Sequence, residues 1–337
     1  MTIIYALIMV CILIFVHELG HFIAAKACGV KVNEFALGMG PAIYQRKKGE
    51  TTYSLRIIPM GGYCAMEGED EESTDERAFN NQPALQKSII LVAGAAMNVL
   101  TAVILMIVVT FCSGVPTTTI GHVIEHSPAE AAGIMAKDKI VRVDDTIVDN
   151  WDQFTHYVDD KNKGDVIKVT VERGGKDVLI PVEIAAQKSG DKYIGINAYS
   201  EKYKAAALIE GPKATWDMTK DMFSILRDLV SGDVSAKELS GPVGIVYMVD
   251  KSASAGIITF IYFMALISLN LAVVNLLPFP ALDGGRLIFV IIRKVTGKAI
   301  TDNMEAVVHM VGMVCLLALM LYVTWQDILR FIVPIFK

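Results

Sequence analysis

Cysteine is scarce in this chain and poorly spaced for chemistry. The five residues Cys11, Cys28, Cys64, Cys112 and Cys315 form no CxxC pair and leave residues 113–314 without one. That argues against a disulfide framework and against a metal site built on thiolates. Basic charge is also short. The net charge of −5 removes the cationic balance that would suggest a nucleic-acid partner. No lysine or arginine precedes Lys26, so the apolar opening lacks the positive start of a cleaved signal peptide. Residues 3–25 are read as a retained span instead. Apolar residues are abundant, at 53% of 337 with mean hydropathy +0.46. A soluble fold of this length does not need that much, and the excess points to a membrane protein with some soluble mass.

Four stretches are long and apolar enough to span a bilayer: 3–25, 88–112, 256–277 and 306–325. Their orientation follows from the short loops. Lys26, Lys31, Arg46, Lys47, Lys48, Arg56, Arg77 and Lys87 lie between the first two spans. Arg286, Arg293, Lys294 and Lys298 follow the third. Both loops therefore read as cytoplasmic, with both termini and residues 113–255 outside.

The first loop has structure of its own. Residues 51–66 carry β-type residues interrupted by Pro59 and Gly61-Gly62, which predicts a hairpin or bent strands beside the membrane. The acidic run Glu67–Glu76 reads as a solvated loop. Residues 117–200 alternate short strands with turns and two short helices, a small β-rich domain. Residues 212–230 place Trp216, Met222, Phe223, Leu226, Leu229 and Val230 near one stripe. Such a helix lies in the membrane interface or packs on the soluble domain, and periodicity alone does not choose.

Chemistry concentrates in the first span, which contains His17-Glu18-Leu19-Gly20-His21. Ionisable groups at membrane depth are costly and usually functional. On a helix, positions i and i+4 share a face, so His17 and His21 can present two imidazoles to one metal ion, with Glu18 beside it as general base. A catalytic zinc site wants a third protein ligand and an open position. Two carboxylates compete: Asp283, and Glu305, which pairs at i+4 with His309. The prolines and glycines around Asp283 force a turn that can aim a carboxylate into a bundle, which favours Asp283. Glu305 and His309 are read as a helix-edge pair at the interface.

HExxH in a first span, with Asn275-Leu-Leu-Pro-Phe-Pro-Ala-Leu-Asp283-Gly-Gly285 after a later one, resembles the site-2 protease family of intramembrane zinc metalloproteases. The regulator-of-sigma-E type with one PDZ domain is the nearest branch. Gly94-Ala-Ala-Met-Asn98 matches the family's GxxxN pattern, with Ala95 where proline is frequent. Ser127–Ile134 resembles the turn and helix of a PDZ domain covering residues 117–190, with Lys137 where glycine is frequent. Leu239–Ile245 resembles the segment that follows that domain. The CBS domains of the sporulation branch are absent.

The resemblance implies a polytopic α-helical membrane protein with about four transmembrane helices, a membrane-associated β-loop and one extracytoplasmic PDZ-like α+β domain. It divides as residues 1–112 (two spans, HExxH and β-loop), 113–200 (PDZ), 201–255 (amphipathic, interfacial) and 256–337 (two spans and LDGG). His17, His21 and Asp283 are the implied Zn2+ ligands and Glu18 the implied base for water attacking a peptide carbonyl. Asn275, Asn270 and Asn98 are the implied substrate-side residues, with Asn98 supporting the site from the second span. Expected partners are the lipid bilayer and single-span membrane substrates, an anti-sigma factor or remnant signal peptides, with no nucleic acid. The expected location is the bacterial cytoplasmic membrane, with the active site toward the cytoplasm. The competing reading is a catalytically silent scaffold that binds partners through its PDZ domain.

Overall fold

A backbone in lipid must satisfy its own N–H and C=O groups, so unbroken apolar runs fold as helices. In the computed structural model, which describes residues 2–69, 73–186, 192–201, 205–232, 240–297 and 302–333, this is how the chain begins. Asp70–Glu72 of the acidic run, Leu239 and Lys298 lie outside the described residues. Helix α1 (Thr2–Ala27) leads into two bent strands, β1 (Val32–Lys48) and β2 (Thr51–Met66), and then α2 (Ala84–Ser113). Next come β3 (Val115–Val123), α3 (Pro128–Ala131), β4 (Lys139–Val143), β5 (Thr146–Ile147), α4 (Trp151–Asp159), β6 (Val166–Arg173), β7 (Lys176–Glu183), β8 (Ala185–Ala186), β9 (Lys192–Tyr193) and β10 (Ile196–Glu201). Helices α5 (Ala207–Ser231), α6 (Pro242–Ala255), α7 (Ile257–Asn275), α8 (Asp283–Thr296) and α9 (Asp302–Asp327) follow. The chain forms two units, Met1–Ile107 with Gly211–Lys337, and Val108–Glu210.

Among the described residues, four helical stretches are long and apolar enough to cross a membrane: Thr2–Ala27, Ala84–Ser113, Ile257–Asn275 and Met304–Phe331. Helix α1 packs on α6 and α7 through Ala6, Met9, Leu13, Val249 and Phe263. It approaches α2 at Gly20, where any side chain would strike the Ala93 carbonyl. Small residues allow such close backbone contact between membrane helices. Helix α6 starts at the Ser240-Gly241-Pro242 turn. Its first N–H groups are answered from α9: buried Asp327 accepts from Gly241 N at 2.9 Å and Gly244 N at 2.7 Å. Helix α5 begins earlier than periodicity suggests and tolerates Pro212 near its start; it leaves Trp216 and Phe223 64% and 56% exposed.

The two bent strands make more than a hairpin. Glu34–Leu37 pairs with Gly62–Ala65 on one side and with Thr52–Leu55 on the other, while Tyr44–Lys48 pairs with the far side of Thr51–Leu55. In space the order is 62–66, 32–37, 51–55, 44–48. The reversals fall at Gly38, Gly40 and Gly61, all with φ between +80° and +87°. The sheet sits on α1 and α2 through Val32, Phe35, Cys64, Met66, Ala25 and Ile90.

The second unit is a sheet of order β10-β3-β4-β6-β7, with β5 beside β4. Its strands alternate as a half-buried sheet should: Ile167, Val169 and Val171 of β6 point inward, as do Ile180 and Val182 of β7. Asn150 caps α4 by accepting from Gln153 N at 2.9 Å. Lys137 adopts φ +74°, the left-handed conformation that glycine takes without cost.

Candidate metal centre

HExxH lies in the second half of α1, where the helical rise puts His17 and His21 one above the other. Both are buried. His17 Nε2 and His21 Nε2 are 3.2 Å apart. Asp283 reaches them from the first turn of α8, its Oδ2 3.1 Å from His17 Nε2 and 3.3 Å from His21 Nε2. His21 donates from Nδ1 to the Ile90 carbonyl of α2 at 2.8 Å, which leaves its Nε2 as a lone pair. An imidazole lone pair and a carboxylate oxygen facing one another in a buried space form a group that could hold a metal cation.

The edge lengths identify a suitable ion. Ligand atoms bound at about 2.0–2.1 Å to a tetrahedral zinc lie about 3.3–3.4 Å apart. The observed edges of 3.1–3.3 Å fit. Gly94 of α2 supplies the room: a Cβ there would overlap His21 Nε2 and lie 2.8 Å from His17 Cε1. Two imidazoles, one carboxylate and no cysteine make a donor set that suits zinc.

Glu18 points to the neighbouring β2 edge. A Cβ at Gly62 would stand 3.7 Å from its Cγ. Asn98 is fully buried, with its carboxamide nitrogen 3.4 Å from His17 Nδ1 and its oxygen in no hydrogen bond. Rotated by half a turn, the carboxamide presents its oxygen to His17 Nδ1–H. That arrangement orients the ring for Nε2 ligation, as outer partners of metal-bound histidines do. The buried position beside His17 is compatible with orienting that ring. Asn275 half faces the site, with Nδ2 3.3 Å from His17 Nε2. Asn270 is exposed on α7 and joins no hydrogen bond of the site among the described residues.

Asp283 is aimed by a crowded turn. Side chains at Gly284 would strike the carbonyls of Leu276 and Leu277, and at Gly285 the carbonyl of Phe279. The motif Asp-Gly-Gly thus packs the start of α8 onto the end of α7. Glu305 stays outside the ligand cluster, pairing with Arg293 at 2.7 Å. His309 does more than form a helix-edge pair with Glu305: its Nδ1 accepts from Ala281 N at 2.7 Å. Sequence reasoning missed this contact and the room at Gly94. The only available trace of Gly94 was its place in the GxxxN pattern.

The site and the four apolar helices together define a membrane metallopeptidase. The chain belongs to peptidase family M50, whose family model matches residues 5–319. A relative from Clostridium acetobutylicum is 37% identical over 332 residues, covering 97% of each chain. The zinc metalloprotease RasP of Oceanobacillus iheyensis is 30% identical over 420 residues, covering 98% of this chain and 99% of that one. The regulator of sigma-W protease RasP of Bacillus subtilis is 30% identical over 416 residues, covering 98% of both. The PDZ domain of an SdrC-like protein from Listeria monocytogenes is 26% identical over 26% of this chain and 87% of its own, with TM-score 0.22. The protein is a multi-pass membrane zinc metalloprotease.

Proposed function

We propose that this protease cuts single-span membrane proteins within the membrane, with His17, His21 and Asp283 holding zinc and Glu18 acting as general base. The observation that carries the reading is the ligand triangle of 3.1–3.3 Å inside a bundle of apolar helices. Zinc held there lowers the pKa of water toward 7 and polarises a carbonyl. Glu18 takes the proton of the attacking water and delivers it to the leaving nitrogen. Asn275, beside His17, holds the substrate backbone at the mouth of the site. The loop charges favour a cytoplasmic opening of the site, a place in the bacterial cytoplasmic membrane and an external second unit. Anti-sigma factors and remnant signal peptides are the substrate classes that suit a site at this depth.

A membrane helix must unwind before it is cut, and its freed backbone groups need partners. Among the described residues, strand 62–66 pairs only with 32–37, so its other side offers an edge for strand addition. A substrate peptide N-methylated at alternate positions should lose cleavage in one phase and keep it in the other. Equal cleavage of both would discard strand addition.

The decisive test is Glu18→Gln with a tagged single-span substrate and zinc analysis in parallel. Cleavage should fall by at least about a hundredfold while zinc is retained. Full cleavage by a zinc-loaded variant would sink the assignment of the base.

A further inference from the structure

Asp283 must keep its carboxylate oxygen within a few tenths of an ångström of one place, yet it sits at the end of a loop. Residues 276–282 join α7 to α8 through Pro278 and Pro280, and Ala281 adopts φ +76°. A residue with a Cβ is disfavoured in that conformation, so something outside the turn must hold it. The turn's own bonds run from Phe279 N to Leu277 O and from Leu282 N to Phe279 O. The Ala281 N–H is taken by α9 instead, through His309 Nδ1 at 2.7 Å.

The contact is part of a clasp. Because Ala281 donates, His309 carries its proton on Nε2, the nitrogen 3.7 Å from Glu305 Oε1. Glu305 Oε2 accepts from Arg293 of α8 at 2.7 Å, and the His309 ring lies 5.5 Å from that of Phe289, also on α8. One turn along α9, Gly312 is buried against Pro280, where a Cβ would lie 2.6 Å from its carbonyl oxygen. His309 and Gly312 share one face, so α9 grips the loop at Pro280 and Ala281 and the helix that Asp283 begins.

We propose that His309 is a positioning residue for the metal centre: it holds Ala281 in its left-handed turn and thereby aims Asp283 at His17 and His21. It touches neither metal ligand nor substrate. The inference rests on Asp283 being a zinc ligand.

The test uses the full chain in detergent or nanodiscs, with zinc affinity measured by chelator competition and the visible spectrum of the Co2+-substituted protein. His309→Phe keeps a ring against Phe289 and removes the acceptor. His309→Asn places an amide oxygen near the position of Nδ1. Zinc affinity should fall about tenfold or more in His309→Phe, with an altered Co2+ spectrum, and return largely in His309→Asn. Ala281→Gly, which removes the steric objection to the turn, should blunt the loss when added to His309→Phe. Asp283→Ala is the control. If it leaves zinc affinity unchanged, the ligand assignment fails and the clasp with it. If Asp283→Ala loses zinc but His309→Phe binds it with an unchanged spectrum, the clasp alone is overturned. Hydrogen exchange in the unmutated protein is an independent check. The Ala281 amide should be protected, and exchange at the rate of an open loop would also overturn the proposal.

Discussion

Gly94 is where a single methyl group should matter most. Helix interiors usually gain about 1 kcal/mol when alanine replaces glycine, so propensity favours Gly94→Ala. The space argues the other way, since the new Cβ would occupy the gap between His17 and His21. Gly94→Ala should therefore keep helix content while zinc affinity drops at least about tenfold, although every ligand remains. Chelator competition beside circular dichroism would check this, and wild-type affinity would show that the imidazoles can move aside. The pairing of His17 and His21 was readable from HExxH because the helical period is local. The contacts of Gly94, the Ile90 carbonyl and His309 were not, because each meets the site from another helix, and the spacings that mark Gly94 and His309 do not name what they touch. Lys137 is the opposite case: a missing glycine in the motif marked a turn that does adopt φ +74°.

Among the elements, α9 carries more structure than its burial suggests. Of its most apolar window 11% is buried, against 28–33% for the other three spans. Its polar contacts occur near its two ends: His309 and Glu305 toward the start, Asp327 at the finish. Asp327 supplies from another helix the cap that Gly241 cannot give α6 itself. Asp327→Ala should cost about 2–3 kcal/mol, the loss of charged acceptors from two buried N–H groups. Asp327→Asn, which keeps one acceptor oxygen, should lose less. Hydrogen exchange over residues 241–247 is the direct measurement, and unchanged protection in Asp327→Ala would reject the cap. The four spans were legible from apolar length alone, because lipid leaves a backbone few choices. The β-loop was legible as bent strands. Its central segment 34–37, paired on both sides, was not, since strand register depends on partners that pattern does not name.

At the scale of the molecule, the second unit is inserted into the chain in a way that should let it be removed. Its first and last long strands are neighbours: Val115 of β3 pairs with Glu201 of β10, so entry and exit meet. Its core is closed within residues 120–196, from Ile120 and Ile140 through Val169 and Val182 to Ile194. The separate fragment 114–201 should therefore fold cooperatively. Its acid sensitivity follows from Asp138, whose burial would raise its pKa. Bonds from Arg173 at 2.6–2.7 Å and from Met135 N at 2.9 Å outweigh that and hold it below the usual carboxylate range. A lowered folded pKa contributes stability that is present above the unfolded value near about 4 and is lost as pH falls through the folded one. The fragment's melting temperature should thus be steady from about pH 5 to 8 and fall below about pH 4. Asp138→Asn should cost about 2 kcal/mol at neutral pH and flatten the acid limb, since it leaves Arg173 with a poorer partner. A cavity of about 270 Å³ between α4 and β9–β10 is lined by Trp151, Phe154, Val158 and Ile194 together with Asp159, Lys192 and Asn197. Deleting 115–201 and joining the ends should leave zinc binding intact and change which substrates are cut. If the unit works as a filter, an untrimmed membrane substrate becomes cleavable. If it works as a docking site for a free C-terminus, cleavage of substrates with such an end declines. Unchanged selection of both would remove the second unit from substrate choice altogether.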